Sequence, residues 1–144
     1  MHKLGMGTLA ILGATLVLLA AHPAPTGRSR NAAGDTVTVQ MIGSSTGYSF
    51  KPSITTIKVG QSVKFVTVSG GPHNVTFDPQ DIPDGAAATL DQNMPRQQAK
   101  LTGPLVPNPN DSYVITFKGA KPGAYKYYCL PHQSLGMQGT INVE

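Results

Sequence analysis

Alternation of apolar and polar side chains is the main signal between residues 36 and 143. In 36–41, Val37, Val39 and Met41 occupy every second position, as on the buried face of a β-strand. Segments rich in β-branched and aromatic residues follow at 62–68, 73–77, 112–117, 124–128 and 139–143. Turns containing Gly or Pro separate these segments. The pattern predicts an all-β fold, an antiparallel β-sandwich with Greek-key connections.

Residues 78–111 interrupt this alternation. The stretch contains six prolines and two glycines, which break any regular element repeatedly. Because a compact domain seldom leaves so much chain without structure, we expect packed loops here. Within them we expect one short helix inside 85–94 and a minor strand near 99–101.

Residues 1–21 differ from everything that follows. Lys3 precedes an uncharged run at 4–19, and small residues follow it, a pattern typical of a secretory signal peptide cleaved near 21–24. The alternative is an uncleaved membrane anchor, because an apolar run of about eighteen residues approaches the length that spans a bilayer. The polar, aperiodic stretch 22–34 predicts a flexible tail, which leaves 35–144 as the folded domain.

Charge narrows the choice of partners only slightly. The whole chain carries a formal charge of +4. Removing 1–21 takes away Lys3 alone among the charged residues and leaves about +3, a weak bias. No Lys/Arg cluster interleaved with aromatic residues occurs in 35–144, so we do not expect nucleic acid as a partner. Contact with a membrane is expected only if the N-terminal segment is retained.

The strongest chemical signal lies in the last thirty residues. Cys129, His132 and Met137 stand in the order Cys-x-x-His-x-x-x-x-Met. Cys129 is the only cysteine, and a lone thiol in an exported protein needs protection or a function. Thiolate and thioether sulfur favour copper(I), and imidazole suits copper in both oxidation states. Two His, one Cys and a weak axial Met would therefore form a one-electron copper centre.

A second histidine is required, and His73 is the candidate. Of the four histidines, His2 and His22 lie in or beside the leader, so His73 and His132 are the only two in the predicted domain. Taken singly, a buried Cys or Met is usually part of a core. The joint spacing of the three loop residues, with His73 upstream, favours a metal site over that reading.

Three segments, 72–78, 125–129 and 129–141, resemble the cupredoxins, and specifically plastocyanin and its small relatives. The resemblance covers about 35–144 and implies a cupredoxin-like sandwich holding one type 1 copper per chain. The metal ligands that it implies are His73, Cys129, His132 and Met137.

The resemblance also gives roles to two further residues. Asn74 matches the residue that braces the copper loop beside the first ligand, which fits the general role of outer hydrogen bonds in orienting ligands. Tyr48 stands where many plastocyanins carry a Leu in the apolar docking face around the exposed histidine. The interval from His73 to Cys129 is about ten residues longer than is typical, with the excess expected in 78–111.

These features predict a small exported electron carrier, periplasmic or otherwise extracytoplasmic, monomeric, and meeting its redox protein partners in brief encounters. His132 is the expected electron port, with Tyr127 and Tyr128 as a second route. We do not expect an enzyme, because cupredoxin-based enzymes have repeated domains and additional His-rich sites. The alternative is a periplasmic copper carrier or storage module, for which Met94 would be the one additional soft donor.

Overall fold

A computed structural model describes residues 36–144 of the chain. The predicted signal peptide, 1–21, and the predicted tail, 22–34, lie outside the described residues. Within 36–144, no helix has the length and apolarity needed to cross a bilayer. The regular elements, in chain order, are β1 Thr36–Ser44, β2 Gly47–Lys51, β3 Ile54–Ile57, β4 Ser62–Ser69, β5 Thr76–Phe77, α1 Ala87–Gln92, β6 Ser112–Thr116, β7 Gly123–Tyr128 and β8 Gln138–Val143.

The strands form two four-stranded sheets. One has the order β2-β1-β4-β6 and the other β3-β8-β7-β5. The β-sandwich predicted from the alternation is therefore confirmed. Most neighbouring strands are antiparallel, but β1 pairs with β4 and β3 pairs with β8 in parallel. Alternation shows which face of a strand is buried and carries no information on the direction of its neighbour, so these two parallel pairs were not foreseen.

The core follows the period-two pattern. On β1, Val39 and Met41 are fully buried and Val37 is half-buried, as predicted. On β6, Tyr113 and Ile115 are buried while Val114 between them is exposed. Burying one face of each strand provides most of the stabilisation, at roughly 25 cal/mol per Å² of apolar surface removed from water.

The segment 73–77 departs from that pattern. Only Thr76–Phe77 forms a strand, β5, and all five residues are buried. His73, Val75 and Phe77 were expected to share one buried face. Asn74 and Thr76 are buried as well, because this segment passes between a sheet and the packed loops of 78–111.

The irregular region 78–111 is packed against the core, as predicted. The short helix is confirmed as α1, and Leu90, Met94 and Leu101 are buried. The minor strand near 99–101 is wrong: this stretch is a tight turn in which Leu101 has φ +57°. The Asp91 carboxylate holds the turn by accepting hydrogen bonds of 2.8 Å from Leu101 N–H and from Gln97 Nε2.

Candidate metal centre

His73 lies at the end of the sandwich, where the chain leaves β4, and is fully buried. Its backbone exchanges two hydrogen bonds with Val106, with N···O distances of 3.2 and 2.7 Å. On the ring, Nε2 lies 2.8 Å from the carbonyl oxygen of Ser69. A carbonyl only accepts, so Nε2 carries the proton and Nδ1 keeps a free lone pair. The fold thus leaves one imidazole nitrogen available to bind a metal ion.

Cys129 follows directly on β7 and is also fully buried. Its backbone N–H donates to Met137 O at 3.0 Å, which closes the loop between β7 and β8. The Sγ atom lies 3.8 Å from Nδ1 of His73 and 3.4 Å from Nδ1 of His132. Two residues 56 positions apart in sequence are thereby brought side by side.

The loop between these strands carries His132 at its bend. Leu130–Leu135 forms two short 3₁₀ turns that meet at His132, where the backbone leaves helical geometry at φ −119°. The loop ends at Gly136, whose φ of +77° is a left-handed conformation that favours glycine. His132 N–H donates to Cys129 O at 3.1 Å, and the ring is half-buried. The turns therefore fold the ring back over the thiol while leaving part of it at the surface, as expected for a port.

Together the donor atoms of His73, Cys129 and His132 lie within 4.8 Å of one another. Two imidazole nitrogens and a thiol sulfur converge on one small volume, and two of the three residues are fully buried. Nitrogen and soft sulfur donors in this number fit copper rather than magnesium or calcium, which take oxygen ligands.

Met137 occupies the point where the loop rejoins β8 and is fully buried. Its carbonyl accepts from Cys129 N–H, and its own N–H donates to His132 O at 3.3 Å. These two bonds hold its backbone to both loop donors. Its thioether is a soft donor, so a residue bonded in this way to Cys129 and His132 is a candidate fourth donor.

Asn74 connects the two halves of the site. It is buried, and its Oδ1 accepts a 2.8 Å hydrogen bond from the backbone N–H of Leu130. The residue beside His73 therefore holds the start of the loop that carries His132. This bond is the brace that the resemblance led us to expect.

Burial shifts the pKa values of two of the donors. It raises the pKa of the Cys129 thiol, and backbone N–H groups of Asn74 and His132 oppose that shift. Burial also lowers the pKa of His132, and the nearby His73 acts in the same direction. Both effects disfavour charged side chains in an enclosed site, and the second favours the neutral form of the His132 ring.

Tyr48 makes a contact that sequence reasoning missed. Its ring stacks on the His132 ring with centroids 3.9 Å apart and planes inclined by 16°. It also meets the edge of His73, with centroids 6.2 Å apart. The hydrogen bond from His73 to the Ser69 carbonyl was missed too, and no signal could have revealed it, because every residue type has a carbonyl.

The two tyrosines before Cys129 differ. Tyr127 is buried in an aromatic cluster, with its ring centroid 4.7 Å from that of Phe50 and 5.3 Å from that of Phe65, while Tyr128 is half-buried. Burial raises the pKa of the Tyr127 phenol, which keeps it neutral. Tyr127 is thus a core residue.

Residues 37–144 match the profile described as copper binding proteins, plastocyanin/azurin family. The chain belongs to the plastocyanin/azurin family. It is 40% identical over 112 residues to the chloroplastic plastocyanin of Physcomitrium patens, which covers 78% of this chain and 60% of that protein. It is 39% identical to plastocyanin of Scenedesmus fuscus, over 75% of this chain and 99% of that one.

Comparison with solved structures supports the same family assignment. Oxidized plastocyanin of Dryopteris crassirhizoma matches with a TM-score of 0.54 at 30% identity, over 76% of this chain and all of that one. Family membership confirms the cupredoxin fold, the copper cofactor and the non-enzymatic, electron-carrying class expected from the sequence.

Proposed function

We propose that this chain is an exported blue-copper electron carrier whose ion is held by His73, Cys129, His132 and Met137. The convergence of three donor atoms within 4.8 Å, from positions far apart in sequence, is the observation that carries the proposal. Copper bound by such donors supplies a one-electron couple between copper(II) and copper(I). The protein's task is then to hold the donors still and to expose one edge of the site.

The scaffold meets the first requirement. His73 is held by Ser69 and Val106, and the loop is held by Asn74 and by the bond between Cys129 and Met137. Since hydrogen bonds hold the segments that carry the donors, the spacing of the donors changes little with the charge at the centre. A site that hardly rearranges suits rapid electron exchange.

The second requirement, an exposed edge of the site, is met at His132. Leu130 and Leu135, which flank it in sequence, are 50% and 57% exposed. We assign this apolar surface to docking of redox protein partners, and an interface of this limited kind favours brief encounters. Burial of Cys129, Met137 and Met94 argues against the alternative of a copper carrier or storage module, which needs donors open to exchange.

Export remains part of the proposal and rests on residues 1–21. We assign them to a signal peptide cleaved near 21–24, with 22–34 as a tail and a periplasmic or other extracytoplasmic location. A single free thiol, buried among other metal donors, suits an oxidising compartment because it is protected there. The mass of the exported form would locate the cleavage point, and retention of 1–21 would favour an anchor instead.

A visible spectrum tests the copper site directly. Copper(II) is added to the purified chain, which is then reduced with ascorbate and reoxidised in air. We expect an intense thiolate-to-copper band that bleaches and returns. Cys129→Ser should lack the band, since the hydroxyl is a poor soft donor. A colourless wild-type protein that binds copper(I) without cycling would favour the carrier alternative, and absence of copper binding would contradict both.

A further inference from the structure

The two histidines of the site are held in place by different means. His73 is fixed through Nε2, which donates to the Ser69 carbonyl. Among residues 36–144, Nε2 of His132 has no corresponding hydrogen-bond acceptor. His132 also sits at the bend between two short turns, half-buried in a loop whose neighbouring residues are exposed. Something other than a hydrogen bond must fix the plane of its ring.

The Tyr48 ring is the group in contact with that plane. It lies nearly parallel to the imidazole, inclined by 16°, with 3.9 Å between centroids. Tyr48 is on β2, whereas His132 is in the loop between β7 and β8, so the contact joins the two sheets of the sandwich across the mouth of the site. Such a contact restricts ring rotation about the Cα–Cβ and Cβ–Cγ bonds.

The backbone beneath Tyr48 is shaped to hold its ring there. Tyr48 pairs with Gly43 across β1 and β2. A Cβ at Gly43 would lie 2.5 Å from Cε1 of Tyr48 and 2.9 Å from the Cα of Gly70. Only glycine at position 43 lets the phenol ring lie flat against β1. The ring is therefore confined between Gly43 on one side and His132 on the other.

We infer that Tyr48 is a positioning residue that fixes the plane of His132 and thereby the direction of its Nδ1 lone pair. The inference rests on the proposed function, in which His132 is a copper ligand. It gives Tyr48 a role in the metal site itself, in addition to its place in the docking face.

The stack should also affect the two oxidation states of the copper ion differently. An imidazole that shares its lone pair with a cation becomes electron-poor, and the face of a phenol ring attracts positive charge. The attraction is greater for the higher charge of copper(II) than for copper(I). Tyr48 should therefore favour the oxidised state, and its removal should raise the reduction potential.

Substitution of Tyr48 by Leu and by Phe tests this inference. In the metal-free wild type, the ring current of Tyr48 should move the Cδ2–H and Cε1–H signals of His132 upfield in proton NMR. Tyr48→Leu should lose that shift. It should weaken copper(II) binding about 2- to 12-fold, the factor equivalent to one aromatic pair, and raise the reduction potential. Tyr48→Phe is the matched control and should behave as wild type, because it retains the ring.

Three results would overturn the inference. Tyr48→Leu could leave the NMR signals in place, which would mean that the rings do not stack in solution. It could move the signals while binding and potential stay unchanged, which would make the stack irrelevant to the site. Tyr48→Phe could behave like Tyr48→Leu, which would assign the effect to the hydroxyl. Failure of the wild type itself to bind copper would instead contradict the proposed function together with this inference.

Discussion

The two sides of the site differ in how they are built. On the His73 side, the proposed ligand is fully buried and bonded through both backbone and ring. On the His132 side, the proposed ligand is half-buried in an exposed loop that is tied down at its ends and covered by one aromatic ring. A carrier needs both properties, because a buried side fixes the geometry and an accessible side lets electrons in and out. The contrast shows that one sandwich supplies rigidity from its sheets and access from a single loop.

The largest expected effect comes from removing each histidine side chain. His73→Gly and His132→Gly should both abolish the visible band of the copper(II) protein, because each removes one proposed nitrogen ligand. Added free imidazole should restore the band in His132→Gly, where the vacated space is close to solvent. It should not do so in His73→Gly, whose space is enclosed by the core.

The measurement is a titration of both variants with imidazole in which the intensity of the visible band is monitored. The unfolding midpoint in urea serves as the control that both variants are folded. Equal rescue of the two variants would contradict the difference between a buried and an accessible side.

The sequence predicted more of the buried side than of the exposed side. Strand alternation and the spacing of Cys129 and His132 depend on local order, so β1, β4, β6 and these two donors could be predicted from the chain alone. His73 was added because it is the only other histidine of the predicted domain. The identification of the four residues as copper ligands stays a prediction until metal is bound and measured.

Several of the features that were missed depend on contacts between distant segments. The stack of Tyr48 on His132 joins residues 84 positions apart, and its enabling Gly43 is recognisable only once β1 and β2 are paired. The turn at 99–101 is held by the Asp91 carboxylate in addition to its own bond from Thr102 N–H to Ala99 O. Local pattern cannot anticipate a conformation that a remote hydrogen bond selects.

The second-largest expected effect comes from removing the hydrogen bond between Asn74 and Leu130, which braces the two sides of the site. Asn74→Ala should lower the free energy of unfolding by about 1–3 kcal/mol, because it leaves the Leu130 N–H without its acceptor at a partly buried position. Urea unfolding of the metal-free protein is the measurement. Asn108→Ala is the matched control: its amide bonds Asp111 at the exposed surface, so its loss should change little.

Equal destabilisation by the two asparagine substitutions would argue against a special role of the brace. An unchanged Asn74→Ala protein would show that the loop keeps its place without this bond. In that case the bond between Cys129 N–H and Met137 O would have to hold the loop start alone.

The smallest expected effect on stability comes from Met137, on the buried side of the loop. Met137→Leu keeps the volume and apolarity of a fully buried side chain, so the free energy of unfolding should change by less than about 1.5 kcal/mol.

The thioether sulfur of Met137 is nevertheless lost in this variant. We expect the variant to retain copper on the remaining three donors and to have a higher reduction potential, because with one electron-pair donor fewer the higher charge of copper(II) is less well offset. Voltammetry of wild type and variant makes the comparison, and Met94→Leu, a substitution of the same kind in the core, is the control. An unchanged potential in Met137→Leu, or an equal rise in Met94→Leu, would refute the proposal that Met137 is a copper donor and would leave the buried side with His73 and Cys129 as its proposed donors.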